Sequence, residues 1–386
     1  MRMLHGEKMN HNLITIAFIS NFYNHHQKWL SDAFEHITDG NYCFIETQEM
    51  DQERRFLGWG KEEKPEYVIR NFASVKESYN VCDEIEKKDV VIIGAASECF
   101  VKTRKKSGDL IFRYSERPFK RKRNLLRYIG SSAKLKARNC FYKNIYMLCA
   151  SAFTSYDYSK LGLFTDSCYK WGYFPEKRVY DNVNSLIKGK IKNSILWVGR
   201  FIEWKHPDEA IKIAAKLKNQ EYSFTMNIMT PEKVREQMEL SQIFLFTSDK
   251  NEGWGAVLNE AMNSGCAVVA SHAIGAVPYL VKNGENGLVY ESGNIEMLFD
   301  KVKLLIKKPL FAQKVGEKAY ETIATEWNAD IAAERFVNLA DHILSGNRHP
   351  DLYSTGPCSK AEIIRDDWFE HEIKNNKKNN CSFTCE

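Results

Sequence analysis

The chain has 386 residues, 44% of them hydrophobic, a formal net charge of +5 and a pI near 8.5. That length suits two ordinary domains, and so mild a charge demands no nucleic-acid partner. The early apolar run from Leu13 to Ile19 is too short to span a membrane and reads as a strand. The ten cysteines lack any CxxC pair or zinc-like spacing and read as the reduced thiols of a cytosolic protein.

The first half alternates apolar runs with polar, helix-like stretches, the pattern of a parallel sheet covered by helices. Strands are predicted at Leu13 to Ser20, Tyr42 to Glu46, Val90 to Gly94, Leu110 to Tyr114 and Ile145 to Ala150. Residues 1–11 are expected to be disordered, and the first domain to run over 12–178. The segment from Asn21 to Gln27 follows the first strand, where an open α/β sheet places its ligand crevice. His25 and His26 there can supply polar contacts or serve structure alone. Glu98, after Gly94-Ala95-Ala96-Ser97, carries the same two readings.

Between Lys102 and Lys143 the chain is strongly basic, with Arg104, Lys105, Lys106, the run Lys120 to Arg123, Arg127, Lys134, Lys136 and Arg138. Only Asp109 and Glu116 offset them, and Phe119, Leu125, Leu126, Tyr128 and Ile129 are interleaved. A solvated face explains such a run; so does docking on an anionic membrane, where each basic residue contributes roughly 1 kcal/mol.

After a linker over 179–193, the second domain is expected over 194–350. Its first strand ends in Gly199-Arg200, with Lys205 shortly after, placing two cations at a strand end. Further on, Ile243 to Phe246 read as a buried strand, Ser248 to Gly255 as a loop, Ala256 to Ser264 as a helix closed by Gly265, and Cys266 to Ala270 as the next strand. A helix opening after Glu252-Gly253-Trp254-Gly255 points free N–H groups toward a ligand, which favours phosphate. Glu252 and Glu260 add two carboxylates, suited to hydroxyl groups, although either taken alone reads as an ordinary solvated glutamate. A last helix is expected from about Lys360 to Lys374, within a crossing segment over 351–375, and a disordered tail over 376–386.

The stretch from Glu252 to Ser271 resembles the Glu-x7-Glu signature of retaining glycosyltransferases of family 4, and Asn283-Gly-Glu-Asn-Gly287 matches that family's following loop. The resemblance implies an α/β fold of the GT-B type: two Rossmann-like domains facing a cleft, with a C-terminal helix crossing back to the first. It implies that Glu252 touches the donor sugar and that Glu260 holds the ribose hydroxyls. Ser248, Gly253, Trp254, Gly255, Ala256 and Val257 then line the donor, and Arg200 and Lys205 contact its diphosphate. Ser115-Glu116-Arg117-Pro118 resembles an acceptor-side segment of bacterial polysaccharide glycosyltransferases; Glu116 and Arg117 are candidates for the acceptor or reacting centre, or else form a local ion pair. His25, His26 and Glu98 stand on the same side.

Two departures stand out. The glycine-rich loop that such proteins carry after the first strand is absent. A helix and strand that usually follow the segment Tyr222 to Met229, and help frame the base, are missing. The expected function is transfer of a sugar from a nucleotide diphosphate donor to a glycan or lipid-linked acceptor in cell-surface polysaccharide synthesis, without a metal or other cofactor. The location is cytoplasmic, with a peripheral position on the inner membrane face as an extension. A non-hydrolysing sugar-nucleotide epimerase and a catalytically silent sugar-nucleotide-binding partner remain as alternatives.

Overall fold

The computed structural model describes residues 14–52, 55, 60, 64–72, 75–121, 124–217, 221–227, 230–371 and 373. The predicted disordered termini and Lys122 and Arg123 lie outside the described residues. Strands are β1 (Ile16–Ser20), β2 (Tyr42–Glu46), β3 (Val68–Arg70), β4 (Val90–Ile93), β5 (Leu110–Ser115), β6 (Ile145–Cys149) and β7 (Cys168–Lys170), then β8 (Ile191–Val198), β9 (Ser223–Asn227), β10 (Ser241–Phe246), β11 (Ala267–Ser271) and β12 (Leu288–Tyr290). Helices of the first half are α1 (His25–Ile37), α2 (Val75–Lys87), α3 (Lys102–Ser107), α4 (Leu125–Asn139) and α5 (Thr154–Ser159). The second half has α6 (Val183–Gly189), α7 (Pro207–Leu217), α8 (Pro231–Leu240), α9 (Ala256–Asn263), α10 (Val277–Leu280), α11 (Ile295–Lys307), α12 (Pro309–Thr325) and α13 (Ala329–Leu344).

The strands form two parallel sheets, ordered β3-β2-β1-β4-β5-β6-β7 and β12-β11-β10-β8-β9. Their middle strands are buried along their whole length, as IAFIS and VVII require when helices cover both faces. Ile16 is level with both Tyr42 and Val90, which fixes the register around β1. This is the GT-B arrangement of two Rossmann-like domains. β3 and β7 have three residues each, too few for a periodic signal, and were not among the predicted strands.

The second half is joined back to the first in two ways. α13 packs against α1, with Phe336 at 5.3 Å from the ring of Phe34 and 4.8 Å from that of Phe112. The C-terminal helix that crosses is therefore α13. The helix expected at Lys360 to Lys374 is corrected: residues 361–365 are non-helical, and among the described residues of that range the helical ones are 368–371 and 373. The reason is the open edge of β7. Cys358 donates to the carbonyl of Lys170 at 2.9 Å, Lys170 to that of Ser359 at 2.8 Å and Ala361 to that of Cys168 at 3.0 Å, so the segment extends the first sheet antiparallel. Unpaired strand edges take up backbone partners that local propensity cannot foresee.

The expected linker also carries structure. Asn182 caps α6 by accepting from Ser185 N–H at 3.0 Å, and β8 begins at Ile191. On the far side of β8 the described residues hold one strand, β9, and the next element is α8, in keeping with the absent helix and strand.

Candidate active site between the domains

A cleft of about 620 Å³ opens between the sheets at the carboxyl ends of their strands. The first domain supplies the segment after β1 (Ser20 to Gln27), Gly94 and Ala95 after β4, and Ser115 to Lys120 after β5; the second supplies Glu252, Gly255 and Ala256. Tyr173, just before the linker, joins them.

Glu252 is held from two sides. Lys205 Nζ makes an ion pair with its Oε2, and Ser248 Oγ donates to the same oxygen at 2.9 Å. Lys205 is fixed in turn, since its carbonyl accepts from Thr247 Oγ1 at 2.7 Å and its ammonium lies 4.7 Å from the Trp204 ring. Beside Glu252, α9 begins with Gly255 at φ 93, and no side chain caps its first turn. A Cβ at Gly255 would come within 2.7 Å of the Phe246 ring, so both the left-handed backbone and the close packing select glycine. Leu258 N–H turns back to the Gly255 carbonyl at 2.9 Å, and the amides of Ala256 and Val257, without a partner among the described residues, are left to donate to an anion.

Glu260 lies about one turn along α9 and is half-buried. Burial pushes its carboxyl up to about 7, with the Arg178 guanidinium pulling the other way. Its carboxylate has no hydrogen-bond partner among the described residues. Arg200 is exposed after β8, its guanidinium likewise without a partner among the described residues. Val257 is half-buried in the first turn of α9.

Trp254 takes a different place from the one expected. Its indole is fully buried, donates to Asn259 Oδ1 at 2.8 Å and packs against Tyr279 and Trp327. It is the wedge of the domain junction: a Cβ at Gly172 would collide with its ring, and one at Gly253 would collide with the Glu116 carboxylate. Ala152 N–H donates to the carbonyl of Gly275 at 2.8 Å across the same junction.

On the facing wall Glu116 pairs with Lys120 and accepts from Tyr173 OH at 3.2 Å. His26 lines the cleft, and burial, aided by neighbouring His25, holds its pKa down to about 3. Burial also lowers His25, against the Glu232 carboxylate of the second domain. Arg117 and Glu98 are engaged elsewhere. Arg117, only 3% exposed, grips Asp157 at 3.1 and 3.2 Å and Asp366 at 2.6 Å, tying the C-terminal segment to the first domain. Glu98 chelates Arg113 at 2.8 and 2.9 Å and also pairs with Lys105; burial pushes its carboxyl up, but these cations outweigh it and hold it below the usual range.

The basic run divides in the same way. Arg104 is buried and donates to the carbonyls of Ile85, Lys88, Asp89 and Leu110. On α4 the side chains of Leu125 and Leu126 are 72% and 80% exposed, beside the exposed Arg127, Lys134 and Lys136. Among the described residues no helix is long and apolar enough to cross a membrane.

Comparison with known proteins bears on this geometry. Residues 222–322, which hold the acidic loop and α9, match the family model described as glycosyl transferases group 1. The chain is 24% identical over 118 residues to an N-acetyl-alpha-D-glucosaminyl L-malate synthase of Bacillus anthracis, covering 31% of this chain and 30% of the relative. It is 29% identical over 110 residues to a poly(ribitol-phosphate) alpha-N-acetylglucosaminyltransferase of Staphylococcus aureus, covering 28% and 22%. The chain therefore spans less than a third of the length of these curated relatives. Among solved structures, HepE of Anabaena in complex with UDP superposes with a TM-score of 0.60 at 13% identity over 84% of this chain and 99% of that one. A sucrose-phosphate synthase from Thermosynechococcus elongatus gives 0.60 at 12% identity over 86% and 99%. These structural likenesses establish the GT-B fold across both domains.

Of the residues singled out in the sequence, the structure brings Glu252, Gly255, Ala256, Glu116, Arg117, His26, Lys205 and Ser248 to one cleft or its immediate support, Arg117 with its guanidinium committed to Asp157 and Asp366. Tyr173, Asn24 and Gln27 line it as well and carried no motif. The Gly172-Tyr173 pair at the domain border, where a glycine must admit Trp254, is the one local signal that pointed to Tyr173.

Proposed function

We propose that this protein is a retaining, metal-independent glycosyltransferase that moves a sugar from a nucleotide diphosphate donor to a hydroxyl of a glycan or lipid-linked acceptor in cell-surface polysaccharide synthesis. The observation that carries the reading is the placement of Glu252: fixed by Lys205 and Ser248, beside the open first turn of α9, and facing Glu116 across the cleft. The named activities of the relatives and the UDP bound by HepE support it.

In this reading the donor lies against the second domain, its ribose at Glu260 and its sugar at Glu252. Negative charge grows on the leaving diphosphate as the sugar–phosphate bond breaks. Arg200, Lys205 and the first amides of α9 stabilise that charge where it develops. The acceptor hydroxyl enters from the first-domain wall and attacks from the face that the diphosphate leaves, so configuration is retained. The closed junction around Trp254 keeps the two walls aligned.

Calorimetry with uridine, guanosine and thymidine diphosphate sugars, on the parent and on Arg200→Ala, tests the reading. Saturable binding of one donor that weakens at least tenfold in the variant is expected, a charged hydrogen bond contributing roughly 1.5–3 kcal/mol. No binding by any donor would sink it. One observation favours a second reading, a silent sugar-nucleotide-binding protein: the single strand β9 outside β8 leaves less of a frame for the base. Donor binding without turnover across acceptors selects it.

The exposed apolar and basic face of α4 belongs to the same proposal as a contact with an anionic bilayer, which brings a lipid-linked acceptor to the cleft. Charge reversal of Lys120 to Arg123 is expected to abolish co-sedimentation with phosphatidylglycerol vesicles; unchanged binding would remove this part.

A further inference from the structure

The first-domain wall of the cleft holds two buried carboxamides that the proposed chemistry does not yet use. Asn24 is the N-cap of α1 and Gln27 stands three residues on, so both lie on one side of the first turn. Gln27 is 9% exposed and Asn24 4%, and both line the cleft. Asn24 spends its oxygen on His26 N–H at 2.8 Å; its amide nitrogen has no partner among the described residues. The Oε1 of Gln27 is buried without a partner among the described residues, and its Nε2 makes no hydrogen bond among them either. A buried acceptor left unsatisfied is costly, and the one on Gln27, with the amide nitrogen of Asn24 beside it on the same cavity wall, points to a ligand that completes them.

The chemistry of that ligand follows from the charges nearby. The cations lining this wall are committed: Lys120 to Glu116, and Arg117 to Asp157 and Asp366. His26 is neutral through burial. Among the described residues the wall therefore offers an acceptor and N–H donors with no uncommitted cation, which suits a pair of hydroxyls. A carboxamide can accept from one hydroxyl and donate to its neighbour, as a vicinal diol requires.

We infer that Asn24 and Gln27 form a subsite for vicinal hydroxyls of a neutral pyranose, with Gln27 the residue that reads them. The inference rests on the proposed transfer reaction, in which this sugar is the acceptor end nearest the reacting centre. Gln27 acts by positioning that sugar and takes no part in proton transfer.

A simple core glutamine and a ligand-reading one respond oppositely to Gln27→Leu. Replacing an unsatisfied buried amide by an apolar group of similar size leaves thermal stability unchanged or raises it, while hydroxyl recognition is lost. Saturation-transfer NMR on the full chain would use the methyl α-glycosides of glucose, galactose and N-acetylglucosamine as probes. At least one probe is expected to bind the parent and to bind Gln27→Leu at least tenfold more weakly, with the melting temperature maintained. Gln27→Glu, which keeps the acceptor atom and loses the donor, is expected to fall between them. No probe binding to the parent, or equal binding to parent and Gln27→Leu, overturns the inference; so does a parallel loss of melting temperature and binding in both variants. The donor calorimetry is read separately. Donor binding with Gln27-independent glycoside binding defeats this inference alone, whereas Gln27-dependent glycoside binding without donor binding defeats the transfer reading.

Discussion

Glu260→Gln is the variant whose effect the geometry defines most sharply. In the folded protein burial holds the carboxyl protonated up to about 7, against an ordinary 4.5, and Arg178 only partly opposes this. Between those two values the folded state keeps a proton that the unfolded chain has released, so stability falls as pH rises through that window and the loss is complete above 7. The full displacement corresponds to roughly 3 kcal/mol. The side chain is only half-buried, and screening by solvent reduces the figure to about 1–2 kcal/mol. Glutamine has the same shape without the charge. Glu260→Gln is therefore expected to match the parent at pH 5 and to exceed it at pH 8 by about 1–2 kcal/mol, or about 3–6 °C in melting temperature. Differential scanning calorimetry at both pH values measures it. An equal difference at the two pH values, or a less stable variant at pH 8, would refute the reasoning. The same carboxylate is proposed to accept from ribose hydroxyls, so the stabilised variant should bind a donor less tightly.

Three further outcomes follow from the domain junction. Gly172→Ala drives a methyl group into the Trp254 ring and is expected to cost about 1–3 kcal/mol in chemical denaturation, since neither indole nor backbone can retreat. Arg117→Met leaves Asp157 fully buried with Lys160 at 3.6 Å as its one cation among the described residues and the Phe119 N–H donating to it at 3.1 Å, and is expected to lose about 3–5 kcal/mol. Asp366→Asn removes the half-exposed partner and should lose about 1 kcal/mol or less, with limited proteolysis showing earlier release of the C-terminal segment. Equal effects of these last two would argue against Arg117 as the tie.

The second half was legible because its signals are local. Ile243 to Phe246, the glycines of the acidic loop and Gly265 each specify their own backbone, and β10, α9 and β11 follow within a residue or two. The five strands predicted in the first domain succeed for the same reason, being apolar runs long enough to fill a doubly covered sheet. What sequence could not reveal is how charges are shared out. Glu98, Arg104, Lys105 and Arg117 look like surface or site groups in a linear chain, yet each is consumed by partners brought in by the fold, Asp366 coming from the far end. Trp254 sits inside the signature motif and still faces the junction, because only the packed structure shows Gly172 beneath it. Gln27 is the converse case: an unremarkable helix residue whose meaning comes from what it fails to bond.

The strand-like pairing of residues 358–361 with β7 also sets an order of events during synthesis. Roughly 190 residues separate Lys170 from its partners near Ser359, and a ribosome adding about 5–20 residues per second needs about 10–40 s to deliver them. For that interval the first domain emerges with the rim of its sheet bare, able to pair with any passing strand. The nascent chain is thus most in need of a chaperone while its second domain is being made, and shortening the protein before Cys358 would make that transient hazard permanent.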